Sequence, residues 1–233
     1  MTTHRPPRPV DRAVIAAQSR EDVVVGNEIV RHDRKSRLIH WAVSLTFFVC
    51  VFTGMPIWTP VFGWMAAFFG GLTVCRALHP WAGAAFFLAT IVMFVDWLGD
   101  MRLERAERKA WVTGGRAMRY MRWETDDTNV GKYNGGQKLQ FWLVCLAALG
   151  MLVSGLLMWF PQLFPAVLMQ LAYVVHDVTF ILFAMLIVIH IYLGTVAEPG
   201  TFGSMTRGTV TKAWARLHHG AWYRDVTGEE RAR

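Results

Sequence analysis

Eight histidines punctuate the 233-residue chain: His4, His32, His40, His79, His176, His190, His218 and His219. Four of them, His40, His79, His176 and His190, lie within or at the ends of long apolar stretches, where an ionisable ring is costly and usually functional. His176 and His190 are 14 residues apart. On a helix that is close to four turns, so both rings face nearly the same way, about 21 Å apart along the axis. Given partners at matching depths, such rings can close two sites, one above the other. An iron porphyrin held by two axial imidazoles is one group that needs this arrangement. Metal transport and a proton relay are other uses of intramembrane histidines that the pattern leaves open. Any one of these residues alone is explained as well by a hydrogen-bonded core histidine; four at two matched depths are not.

The elements that must carry them follow from composition. The chain is 54% hydrophobic and 18% charged, with 11 Trp, 15 Phe and a mean hydropathy of +0.29. Soluble domains hold about 25% charged residues, so the balance leans toward a membrane protein, and the apolar content excludes disorder. Cys50, Cys75 and Cys145 form no CxxC or CxxCH, which excludes a disulfide framework, a four-cysteine cluster and c-type haem attachment. The first 37 residues are polar, with no visible signal peptide. Four apolar stretches follow: Leu38–Trp58, Val74–Leu98, Leu139–Phe160 and Val167–Leu193. Each exceeds the roughly 20 residues a spanning helix needs. The glycine-rich piece Thr59–Thr73 is too short to cross and is expected to be interfacial or re-entrant.

Charge sets the orientation. Residues 1–37 carry 8 Lys/Arg, 99–138 carry 9 and 194–233 carry 6, which leaves Arg76 alone on the opposite side of four alternating helices. The positive-inside rule then makes both termini and the central loop cytoplasmic. The basic excess is thereby a topological signal, and a nucleic-acid role is not expected. Trp41, Trp58, Trp81, Trp97 and Trp159 near span ends fit interfacial belts. His40 and His190 fall toward the inner side, His79 and His176 toward the outer, so depth pairs His40 with His190 and His79 with His176. The third span has no histidine and is expected to serve as wall.

Glycines fit either of two readings. Gly54, Gly83 and Gly155 lie near the depth of the outer pair and could let a flat macrocycle approach the backbone. Small residues also pack helices together, as Gly150–Ser154 and Ala82–Ala85 could. Asp177 is the one acid inside a span away from its ends. It is either an interfacial residue reaching water or a proton-handling group beside the outer site. His4 and His32 read as solvated, and His218–His219 as a partner contact or headgroup-level pair.

Just before the third span stands Asn129–Lys138, NVGKYNGGQK, which lacks the GxxxxGK[ST] spacing of a phosphate loop. Three glycines around Tyr133, Asn134, Gln137 and Lys138 make a tight polar turn at the depth of His40 and His190. Such a turn could donate to the carbonyls of a quinone and pass it protons from cytoplasmic water. It could equally be a helix N-terminal turn and nothing more.

Read together, Ile39-His40-Trp41, Leu78-His79-Pro80, GKYNGGQK at 131–138, Val175-His176, Ile189-His190-Ile191-Tyr192 and LHHGAWYRD at 217–225 resemble the gamma (cytochrome b) subunit of bacterial membrane-bound formate dehydrogenase. The resemblance runs from about Val30 to Asp225. It implies two b-type haems, with axial ligands His40/His190 inside and His79/His176 outside. It also implies a menaquinone site built by Asn134 and Gly136, with His190 adjacent. Residues 1–30 find no counterpart, the turn around Pro161–Pro165 is shorter, and Asp177 stands where a small residue is more familiar.

The expected protein is thus all-α, an integral four-helix bundle of the bacterial cytoplasmic (inner) membrane. Residues 1–37 form a cytoplasmic segment, 38–198 the dihaem domain with loop 99–138, and 199–233 a cytoplasmic tail. By resemblance, an iron–sulfur beta subunit, fed by a formate-oxidising alpha subunit, passes electrons to the outer haem. The inner haem then reduces menaquinone or ubiquinone with cytoplasmic protons. The chain itself carries no molybdenum or tungsten site and no formate chemistry. A hydrogenase or sulfur-compound reductase anchor is the alternative of the same class, and a haem-free anchor or transporter that of another.

Overall fold

The structure, a computed structural model, describes residues 13–102, apart from Ile15, and 130–229. His4 and the loop residues 103–129 lie outside the described residues. Four long helices dominate: α1 Arg34–Trp58, α2 Leu72–Trp97, α3 Gly135–Trp159 and α4 Ala166–Tyr192. Each is long and apolar enough to cross a membrane. Of these, α1 and α3 begin well ahead of their apolar stretches because polar caps extend them. Asp33 accepts from the Ser36 amide at 2.7 Å ahead of α1. Ahead of α3, Asn134 accepts from the Gln137 amide and Gln137 from the Asn134 amide, both at 2.9 Å. That reciprocal pair satisfies amides a helix start leaves orphaned.

The chain divides into two compact units. The apolar unit comprises 38–98 and 140–190. Its helices turn large side chains outward: Leu45, Val95 and Val188 are 67%, 71% and 66% exposed. Inside lie Ala82, Ala148, Ala172, Thr53 and Ser154, small residues that let helix backbones approach. Phe47, Phe86 and Phe183 join α1, α2 and α4, with ring centroids 4.9–6.0 Å apart.

Between α1 and α2 the expected non-crossing piece is a ten-residue 3₁₀ helix, Pro60–Phe69. Thr59 caps its start by accepting from the Val61 amide. Gly70 and Gly71, at φ 88° and 114°, end it in a backbone conformation that favours glycine. Met65 and Ala66 are buried, while Val61, Trp64 and Phe68 face outward.

The polar unit gathers 1–37, 99–139 and 191–233. Here the all-α expectation needs correction. Strands β1 Val23–Val25, β2 Glu28–Val30 and β3 Thr209–Thr211 form an antiparallel sheet in the order β1-β2-β3. The β-branched run Val23-Val24-Val25 and the Gly26-Asn27 turn are strand and hairpin signals that the polar composition of the segment masks. After α4 the chain takes a π turn, Leu193–Ala197, and the short helix α5, Thr201–Thr206. Arg37 donates to the carbonyls of Met205, Thr206 and Arg207 there. Helices α6 Lys212–His218 and α7 Gly220–Thr227 cover the sheet. Ile29, Val210, Trp214, Ala215, Trp222 and Tyr223 make their shared core.

Candidate functional site

All four span histidines belong to the apolar unit, and the fold brings them together in the two expected pairs. His40 on α1 faces His190 on α4, ring centroids 6.2 Å apart and planes at 45°. His79 on α2 faces His176 on α4 at 6.3 Å and 74°. The separation tests whether a metal fits between them. Imidazole nitrogen sits about 2.0–2.1 Å from a bound metal. Two rings on opposite sides of one ion therefore have centroids roughly 6.3 Å apart. Both pairs match that separation.

Around His79 and His176 lies a cavity of about 730 Å³. Gly54, Gly83 and Gly155 line it beside the two histidines, with Arg76 and Asp177 also on its wall. The glycines resolve by what a methyl group would meet. At Gly54 it would come within 2.8 Å of His79 Cε1, so this glycine makes room for the His79 ring itself. At Gly83 it would touch nothing, and at Gly155 it would sit 3.6 Å from His176 Cε1. Gly150 faces the Thr179 side chain and serves helix packing.

Phe47, Phe86 and Phe183 also line this cavity. Sequence spacing puts them midway between the two levels. Phe183 is seven residues from both His176 and His190, Phe47 seven after His40, and Phe86 seven after His79. Seven residues are nearly two turns, so these rings share the histidines' faces. An apolar aromatic layer thus separates the two pairs.

Two residues the sequence reading did not single out as site residues touch the His79 and His176 rings. The buried Thr53 hydroxyl lies 3.1 Å from His79 Nδ1. The buried Ser154 hydroxyl lies 2.9 Å from His176 Nδ1. The third span is therefore more than wall. The available signal was a hydroxyl in an otherwise apolar span, which needs a partner.

Asn134 and Gly136 belong to the polar unit, at the start of α3, and the loop before them is held from both chain ends. Arg31, 2% exposed, donates to the Lys132 carbonyl and to Gln137 Oε1. Its guanidinium lies over Tyr133, Trp214 and Trp222 at 5.7, 4.9 and 5.3 Å. Burial lowers it to about 10, so it stays charged at neutral pH. Lys132 pairs with Glu21 and Asp22. Burial alone would raise the Glu21 carboxyl, but hydrogen bonds with His32 and Lys132 and the Lys132 charge hold it well below the carboxylate range. His219 Nδ1 bonds the Gly131 carbonyl at 2.7 Å, and the Ala221 and Trp222 amides donate to Val130 O.

These contacts correct two readings. His32 is buried beside Glu21, not solvated. His219 is buried under the loop, not at headgroup level, while His218 stacks on Trp214. Burial depresses both buried rings, His32 to about 4 and His219 further, so both are neutral at pH 7. The aromatic residues that enclose them come from distant parts of the chain, which no local pattern reveals.

Two histidine pairs carried by three of the four apolar helices fit a membrane cytochrome of the b type. A family model described as prokaryotic cytochrome b561 matches residues 31–208, and the chain belongs to that family. Membership makes haem b its cofactor and electron transport its task. Among curated relatives, the cytochrome b556 subunit of formate dehydrogenase from Haemophilus influenzae is 30% identical over 212 residues, covering 89% of this chain and 87% of the relative. From Escherichia coli K12, the formate dehydrogenase cytochrome b556(fdo) subunit is 32% identical over 209 residues, covering 88% and 97%. The nitrate-inducible formate dehydrogenase's cytochrome b556(Fdn) subunit, from the same strain, is 30% identical over 205 residues, covering 87% and 93%.

Proposed function

We propose that this chain is the dihaem cytochrome b subunit of a membrane-bound formate dehydrogenase, carrying electrons across the cytoplasmic membrane to a quinone. The observation that carries the reading is the pair of imidazole couples at 6.2 and 6.3 Å. His79 and His176 hold the outer haem, and His40 and His190 the inner one. Bound haem supplies a one-electron carrier at each level. Arg76 and Asp177 give the outer cavity its charged groups, and the three phenylalanines keep the space between levels dry. An iron–sulfur subunit, served by a formate-oxidising subunit, is the partner on the outer side. Inside, Asn134, Gly136 and His190 receive menaquinone or ubiquinone. The Asn134 cap uses its side-chain oxygen and leaves the amide N–H groups for a quinone carbonyl. Electrons entering outside and protons taken up inside separate charge across the membrane. The relatives' names support this assignment over a hydrogenase or sulfur-compound reductase anchor.

The test is the haem content and redox spectrum of the purified chain. Two haems per chain with a reduced b-type spectrum are expected. His79→Ala and His176→Ala should each remove one haem and stop electron entry, while the inner haem remains. A colourless folded protein would return the chain to a haem-free anchor or transporter.

A further inference from the structure

Both outer histidines are met at Nδ1 by a hydroxyl whose own proton is already committed. Thr53 Oγ1 lies 2.6 Å from the Val49 carbonyl, and Ser154 Oγ 2.7 Å from the Gly150 carbonyl. A carbonyl can only accept, and a hydroxyl has one proton to give. At the second contact of each oxygen the histidine must therefore donate: His79 Nδ1–H at 3.1 Å and His176 Nδ1–H at 2.9 Å. A neutral imidazole carries a single N–H, so Nε2 keeps its lone pair, the form a metal binds. Thr53 and Ser154 are 0% and 1% exposed, so water cannot stand in for either hydroxyl. Each contact crosses between helices, α1 to α2 for Thr53 and α3 to α4 for Ser154.

We infer that Thr53 and Ser154 are positioning residues for the outer haem, fixing the tautomer of both ligand rings and the crossing angle between them. The inference rests on haem ligation by His79 and His176. Pinning Nδ1 fixes each ring's rotation about its Cβ–Cγ bond. The outer planes stand 74° apart, against 45° for the inner pair. Nearly perpendicular axial rings leave two iron orbitals close in energy. A ferric low-spin centre then gives a strongly anisotropic electron paramagnetic resonance signal, at lower field than rings nearer parallel. Hydrogen bonding at Nδ1–H also raises the ligand's basicity, which favours ferric iron and lowers the reduction potential.

The experiment compares electron paramagnetic resonance spectra and redox titrations of the purified wild-type chain with Thr53→Val, Thr53→Ser and Ser154→Ala. Thr53→Val and Ser154→Ala should each move the lower-field outer signal and raise the outer potential, with the inner signal unchanged. Thr53→Ser, which keeps the hydroxyl, should match the wild type. An outer signal and potential unaltered in both hydroxyl-free variants would overturn the inference, as would a Thr53→Ser variant altered as much as Thr53→Val. Should Thr53→Val lose the outer haem entirely, retention with a wild-type signal in Thr53→Ser supports the hydroxyl's role, and loss there too overturns it. A wild type without any b-type spectrum would overturn the haem reading itself, a result distinct from all of these.

Discussion

Gly54 and Gly155 line the same cavity yet differ in what a methyl group would meet. Gly54→Ala brings a carbon within 2.8 Å of His79 Cε1, so the His79 ring must move; at Gly155 the nearest ring atom is 3.6 Å away. We expect Gly54→Ala to halve the haem content measured by the pyridine assay, and Gly155→Ala to leave it at two per chain. Asn134 needs a variant that separates capping from quinone binding. Loss of a cap costs about 1 kcal/mol, so Asn134→Ala confounds the two. Asn134→Asp keeps the cap oxygen and removes the amide donor. Quinone reduction should fall at least several-fold in that variant while both haem spectra persist; unchanged turnover would leave Asn134 as a cap alone.

At the scale of elements, the polar unit is the acid-sensitive part of the molecule. His32, held to about 4 by burial, and His219, depressed further, must stay neutral when folded, while an unfolded histidine titrates near 6.5. The unfolded state therefore binds more protons between these values, and stability rises with pH through that window. Lowering the pH from 7 to 5 should cost about 2 kcal/mol per buried histidine. Glu21, lowered in the fold, loses its contribution only at still lower pH. Amide hydrogen exchange in β2 and α7 should accelerate at pH 5 while that in α1 and α4 does not; equal protection at both pH values would contradict the neutral burial of these rings. The 3₁₀ segment offers a second check. A nitroxide placed by Trp64→Cys should meet water-soluble relaxants as readily as oxygen, as an interfacial element does. Accessibility to oxygen alone would make it a deep, re-entrant piece.

For the whole molecule, orientation rests on the distribution of 23 of 24 basic residues over the three polar segments. A fluorescent protein fused to the C-terminus should glow, and alkaline phosphatase at the same point should be inactive; the reverse pattern would invert the direction of electron flow. The four helices and the two histidine pairs were legible because a bilayer enforces them. An apolar run of the required length has few fates there, and an imidazole within it is too costly to be idle. The sheet escaped notice because its strands are three residues each, and Arg31, His32 and His219 because their partners lie as far as Trp222 is from Arg31, at the other end of the chain.

Periodicity along a helix is a local property, so the sequence by itself determined that His176 and His190 share a face and that Phe183 sits between them. Which atoms surround each ring is a property of several segments at once. Only the tertiary structure decided that Thr53 and Ser154 meet the His79 and His176 imidazoles, that Gly54 admits His79, and that segments near the two ends of the chain grip the GKYNGGQK loop. Contacts of this kind depend on helix rotation to within an ångström or so, and packing side chains from all neighbours sets that rotation.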